Sequence, residues 1–147
     1  MSVMRTLWRR RRGQSLVEFA FAIPVAIFLL LAVIETGRHF YTRVTVRNAV
    51  QEAARFAITG QTLLDPATGN PMTRAESIKQ VLVDRATALN VPVADIVLDP
   101  VDGGAPDQLV RISLTYLYMF GAGMLPSFMP STMPITVSTT VKNEPVF

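Results

Sequence analysis

From Phe19 to Ile34 the chain carries no charged side chain, and Phe, Leu, Ile, Val and Ala fill every position but Pro24. No other feature restricts the fold as strongly, because so long an apolar run either fills the centre of a large core or crosses a membrane. As a helix it spans roughly 24 Å at about 1.5 Å per residue. Extending it from Ser15 to Thr36 brings it close to the ~30 Å hydrocarbon core of a bilayer, with Glu18 and Glu35 at the two interfaces. Pro24 lacks a backbone donor and its ring presses on the carbonyl of Ala20, so a kink or local melting is expected there. Membrane helices tolerate such a residue when neighbours re-satisfy the freed groups.

The flanks give the run a direction. Arg5 and the block Arg9-Arg10-Arg11-Arg12 precede it, which predicts a cytoplasmic N-terminus and a C-terminal part on the other side. Arg38, Arg43 and Arg47 follow the span and weaken that bias without reversing it. A cleaved secretory signal would have a shorter apolar core ending at a small-x-small site. Here Glu35-Thr36-Gly37-Arg38-His39 follows instead, which also counts against a twin-arginine export signal.

Charge is concentrated in the same place. The 147 residues carry a formal net charge of +3 and half of them are hydrophobic. Five arginines lie before Gln14, and the remainder has nine basic residues against eleven acidic ones. The excess basicity is therefore a property of the leader, and no basic folded surface is left to read nucleic acid. With no cysteine, disulfides, thiolate metal sites and cysteine nucleophiles are excluded.

Gly13-Gln14-Ser15-Leu16-Val17-Glu18-Phe19 resembles the prepilin processing site of the tight-adherence (Tad/Flp) branch of type IV pili: a Gly, four variable residues, then Glu and an aromatic. The continuation Phe19-Ala20-Phe21-Ala22-Ile23-Pro24 and the exit Ile34-Glu35-Thr36-Gly37-Arg38 are similar to TadE-like pseudopilins in particular. So are Ala49-x-x-Glu52-Ala53-Ala54-Arg55 and the ending Thr140-Val141-Lys142-Asn143-Glu144-Pro145. The resemblance is strong over residues 13–60 and loose beyond. It implies cleavage after Gly13 by a prepilin peptidase, a new amino terminus at Gln14, and an assembly register set by Glu18 and Phe19. It also implies as partners the inner membrane, other pilins or pseudopilins and the Tad inner-membrane platform. Burial energetics gives the Glu18 role a reason: an unpaired carboxylate in hydrocarbon costs several kcal/mol or takes up a proton. A neighbouring subunit's N-terminal ammonium would neutralise it and reward one stagger. The plain alternative is a Glu18 at headgroup level beside Arg12.

Beyond the span the helix is expected to continue to about Gly60, a residue suited to end it. Val46, Ala49, Val50, Ala53 and Ala57 recur at i, i+3 and i+4 and form one narrow core-facing stripe. Gln61 to Met72 reads as a turn-rich loop around Asp65-Pro66-Ala67-Thr68-Gly69-Asn70-Pro71. Thr73-x-x-Glu76 is a capping box opening a second helix, with Ile78, Val81, Leu82, Arg85, Ala86 and Leu89 on its face. Strands are expected from Ile96 and over Leu109–Tyr116 and Ile135–Val141. Asp102 to Asp107 forms a hairpin-like connection, and Gly121 to Pro134 a loop. Met119, Met124, Met129 and Met133 with Phe120 and Phe128 make that loop apolar, which suits a fold-over onto the core, a partner surface or a membrane-proximal contact.

Motifs for chemistry are few. His39 is the sole histidine and lacks the companions a metal site needs. Asp99, Asp102 and Asp107 lack the spacing of a calcium loop and read as turn acids. Phosphate loops, dinucleotide fingerprints and nucleophile elbows are absent. An enzyme is not expected, and neither is a cofactor.

The expected architecture is α+β and pilin-like: a long N-terminal helix, its first half transmembrane, packed on a second helix and a small antiparallel sheet of about three strands. Residues 1–13 are a basic cytoplasmic leader, 14–36 the transmembrane helix, 37–60 its periplasmic continuation and 61–147 a small extracytoplasmic domain. The protein is expected to cross the inner membrane once, as an assembly component of a Tad/Flp-type machine. The alternative is an unprocessed, membrane-anchored periplasmic scaffold or binding module.

Overall fold

The computed structural model describes residues 3–121 and 130–145, with side chains from Gln14 onward. It contains helix α1 (Val3–Ile58), helix α2 (Arg74–Arg85) and strands β1 (Ile96–Asp99), β2 (Leu109–Met119) and β3 (Thr132–Lys142). The architecture is α+β, as the sequence implies. The chain divides into two compact units, Met1–Arg38 and His39–Phe147, and α1 contributes to both.

The described part of the first unit is helix alone. Every side chain from Gln14 to Ile34 is exposed, including Phe21 at 75% and Leu30 at 64%. Pro24 lies inside the helix, and helical structure continues on either side of it. Near the unit's end the hydroxyl of Thr36 donates to the carbonyl of Ala32 at 2.8 Å, the back-bonding a helical threonine uses when no other acceptor is near.

The second unit has a core. Val46, Ala49, Val50, Ala53, Ala54 and Ala57 of α1 are buried, so the stripe expected from spacing is the packed face. Small side chains there let other elements approach the helix axis closely. α1 ends at Ile58, two residues before the glycine expected to stop it. Gly60 has φ +68°, and its amide donates to the carbonyl of Ala57 at 3.4 Å. A left-handed residue just past the last turn is the usual way a helix satisfies its final carbonyls.

The loop that follows closes on itself. The Asp65 amide donates to the Asn70 carbonyl and the Gly69 amide to the Asp65 carbonyl, both at 2.8 Å. The Asp65 carboxylate accepts from the Ala67 amide and the Thr68 hydroxyl, and those bonds, the amide's first, hold its pKa below the usual carboxylate value. α2 then starts at the expected capping box. The Glu76 amide donates to the Thr73 hydroxyl oxygen at 3.3 Å, while the Thr73 amide donates to the Glu76 carboxylate at 2.9 Å. Ser77, Ile78 and Leu82 are the buried side of α2. The expected face included Arg85 and Leu89; instead Arg85 is exposed, and Leu89 lies past the helix in a single 3-10 turn, Thr87–Leu89. The helix stops at Arg85, so helical spacing no longer places Leu89.

The sheet is antiparallel with order β1-β2-β3. Ile96 and Leu98 pair with Leu114 and Ile112. Val110, Ile112, Leu114, Tyr116 and Tyr118 pair with Val141, Thr139, Val137, Ile135 and Met133. These positions share the face toward the helices, because a strand alternates its side chains. All of them but Thr139 and Met133 pack with the α1 stripe, Ile78, Leu82, Ala86 and Val91 into one hydrophobic cluster. β2 runs three residues beyond its expected end, and β3 begins three before its expected start. Met119 and Met133 are therefore strand residues, not loop residues. Pro134 is accommodated inside β3 because β3 is an edge strand, where a position facing away from the sheet has no ladder bond to lose. Met124, Phe128 and Met129 lie outside the described residues.

Candidate functional site

The N-terminal motif lies within α1. Gly13, Gln14, Glu18, Phe19 and Pro24 all have helical backbone. The Gln14 side-chain amide donates to the Glu18 carboxylate at 3.2 Å, a contact that helical i, i+4 spacing permits. Phe19 is 63% exposed. Among the described residues none of the 18-residue window that carries this apolar character is buried, and α1 is long and apolar enough to cross a membrane. A face of exposed Phe, Leu and Ile on all sides is far larger than the apolar patches soluble monomers leave open.

The end of the run is marked by charge. Glu35 is buried and its carboxylate accepts from Arg38 at 3.2 Å. His39 stands edge-on to Tyr118, ring centroids 5.0 Å apart, and Tyr118 in turn to Phe120 at 5.3 Å. The His39 Nδ1 is buried with no hydrogen-bond partner among the described residues. The sequence marks His39 only as a lone histidine without metal-site companions. The signal that it packs inward was present: His39, Thr42 and Val46 continue the stripe of Ala49, Ala53 and Ala57 backwards at helical spacing.

A second cluster holds the far end of the domain and was not legible. The Arg74 guanidinium donates to the carbonyls of Ala57 at 2.6 Å and Gly103 at 3.0 Å. It thus caps the C-terminal end of α1, where a cation is favoured, and ties it to the β1–β2 connection. The Asn143 side-chain amide donates to the carbonyls of Gly103 and Ala105. Gly103 and Gly104 both have positive φ, and a Cβ on Gly104 would lie 2.7 Å from a methyl of Val110. These contacts join residues 17 to 40 positions apart, and no local pattern signals them.

The remaining candidates resolve into structure. Asp102 accepts from the Gly104 amide at 2.9 Å, and Asp107 pairs with Lys142 at 2.6 Å. No group of three His, Asp or Glu side chains suited to a metal occurs among the described residues. A cleft of about 470 Å³ between the end of α1 and α2 is lined by Glu52, Phe56, Leu63, Val81 and Arg85 among others, and the Arg85–Glu52 ion pair at 3.1 Å lies at its wall.

The arrangement thus offers a presenting helix and a small packed domain, with no assembled catalytic set among the described residues. No curated relative and no solved structure is significantly similar to the chain. The family comparison does find a match, confined to the N-terminal part: residues 13–55 match the model described as TadE-like protein, the family whose motif this segment resembles.

Proposed function

We propose that the protein is a TadE-like minor pilin or pseudopilin, a structural component of a Tad/Flp-type pilus machine. The observation that carries this reading is the extent of the family match. It begins at Gly13 and runs through the apolar segment to Arg55, taking in the processing motif, the exposed helix and the alanine-rich exit together. In this reading the apolar part of α1 anchors the chain in the inner membrane in a single pass, with the arginine block in the cytoplasm and the α+β domain outside. The chain is a substrate and a building block, acted on by a prepilin peptidase and assembled with other pilins on the Tad platform.

The bond after Gly13 lies in helical backbone, and a peptidase needs it locally unwound. Gly13 lowers that barrier, since glycine is about 1 kcal/mol less favourable than alanine in a helix. Cleavage would free an ammonium on Gln14, one helical turn from Glu18, and remove the arginine block. The same carboxylate would then be available to a neighbouring subunit's terminus. Glu18→Ala is expected to be cleaved normally and to fail in pilus assembly. Normal assembly of that variant would remove Glu18 from the account. The second reading, an unprocessed periplasmic scaffold, is favoured by the continuity of α1 from Val3 through the motif, and requires that the leader be retained.

A further inference from the structure

The two edges of the sheet are finished differently. The Phe120 amide donates to the Ser131 carbonyl and the Asn143 amide to the Gln108 carbonyl, so the pairs at both ends of the β2–β3 ladder are hydrogen-bonded ones. Such pairs alternate along an antiparallel ladder. The odd-numbered residues of β3 therefore bond to β2, and the amides and carbonyls of Thr136, Ser138 and Thr140 point away from the sheet. All three residues are exposed, and among the described residues no strand pairs with that side of β3. Between Pro134 and Lys142 the strand carries no charge and no proline, the usual guards of an open edge. The same alternation points Ile96 and Leu98 of β1 outward. There the Ile96 amide is taken by the Val93 carbonyl and Pro100 has no amide, so at most the Leu98 amide is left.

The core is unfinished on the same side. Val110, Ile112 and Leu114 of β2 are fully buried. Their partners across the ladder, Val141, Thr139 and Val137, are only half-buried. One more strand beside β3 would cover that row with its own inward side chains and accept from the outward amides. We infer that β3 is a docking edge for an extended segment of a different chain, uncharged over about five residues and apolar at alternate positions.

That the segment comes from a different chain rests on the reading of this protein as a component of a pilus machine. Copies of one subunit that all point the same way meet head-to-tail. β1 and β3 both run opposite to β2, so head-to-tail contact would set β3 against the β1 edge of the next copy, which is the blunted one. Two β3 edges meet only across a two-fold axis. That axis either reverses one copy or turns its hydroxyl face, with Thr136, Ser138 and Thr140, toward the apolar row of the other.

The probe is a synthetic peptide of alternating valine and threonine with a lysine tail for solubility, added to the full chain in detergent micelles. Amide exchange read residue by residue is expected to slow roughly tenfold or more at Thr136, Ser138 and Thr140, and to stay unchanged at Leu98. The same peptide with every amide N-methylated should protect none of them. Ser138→Pro removes an outward amide and no ladder bond, so it should keep the melting temperature and lose the protection at Thr136 and Thr140. If that variant melts early, the N-methylated peptide on the parent chain decides. Absent protection, or equal protection by the N-methylated peptide, overturns the inference. Protection that grows with the concentration of the chain alone overturns it in favour of a second copy. In cells with a complete Tad machine, Ser138→Pro is expected to be cleaved after Gly13 and to leave the cells without pili. Cleavage with normal piliation overturns the docking edge, whereas a parent chain that is never cleaved overturns the pilus reading, so the two failures are told apart.

Discussion

The two stretches of α1 are chemically opposite solutions to one problem. Residues 14–34 leave Phe, Leu and Ile exposed, whereas residues 46–57 bury Val46, Ala49, Val50 and Ala53 completely. Large side chains exposed on every side are stable only where the surroundings are themselves apolar. Small side chains on one stripe, with Arg43, Arg47 and Arg55 on the exposed positions between them, suit a helix with protein on one side and water on the other. Side-chain size thus separates lipid-facing from protein-facing helix where hydrophobicity alone does not.

The sharpest way to break this comparison is to shorten one leucine in each region. Leu114 is fully buried in β2, and Leu114→Ala should cost about 2–5 kcal/mol, read as a lowered melting temperature of the full chain in detergent. Leu29→Ala should leave that melt within error. Equal effects would mean that residues 14–34 pack on protein after all. Next in size is a charge in each region. Ile27→Arg should carry an insertion penalty of about 2.5–3.5 kcal/mol and release the chain from membranes in alkaline carbonate, while Val97→Arg, on the open face of the sheet, should not.

Smaller effects sharpen what holds the packed region. Gly104→Ala must adopt a positive φ and push against Val110 and Asn143, which should cost about 1–3 kcal/mol, visible as faster amide exchange in the β1–β2 connection. Thr73→Ala removes the helix cap and should cost about 1 kcal/mol. The cap also sets a pH dependence. The Thr73 side-chain and backbone bonds hold the Glu76 carboxyl below its ordinary value of 4.5. A carboxyl with a lowered folded pKa stabilises above its unfolded value, and that contribution fades as pH falls through the folded value. Acid should therefore weaken α2 below about pH 4.5 in the parent chain, and less so in Thr73→Ala, by far-ultraviolet circular dichroism across the titration.

What the sequence made legible was whatever depends on near neighbours. The capping box needs only Thr73 and Glu76, the alternation of β2 only its own residues, and the α1 stripe only helical spacing. Arg74 reaching Ala57 and Gly103, Asn143 holding the β1–β2 connection, and Tyr118 against His39 depend on chain folding that spacing does not encode. The strand ends were misjudged at Met119 and Met133 because Met, Gly and Pro composition signals a loop, while pairing across the hairpin extends both strands. The motif around Gly13 and Glu18 is legible because it is contiguous, and the role proposed for it concerns other molecules.

The most direct test of the central claim is N-terminal mass analysis of the full chain extracted from membranes of cells that carry a Tad prepilin peptidase. The account predicts a chain beginning at Gln14, lost when Gly13 is replaced by leucine. A chain that retains Arg9–Arg12 in the presence of active peptidase would contradict it, leaving α1 as a permanent anchor.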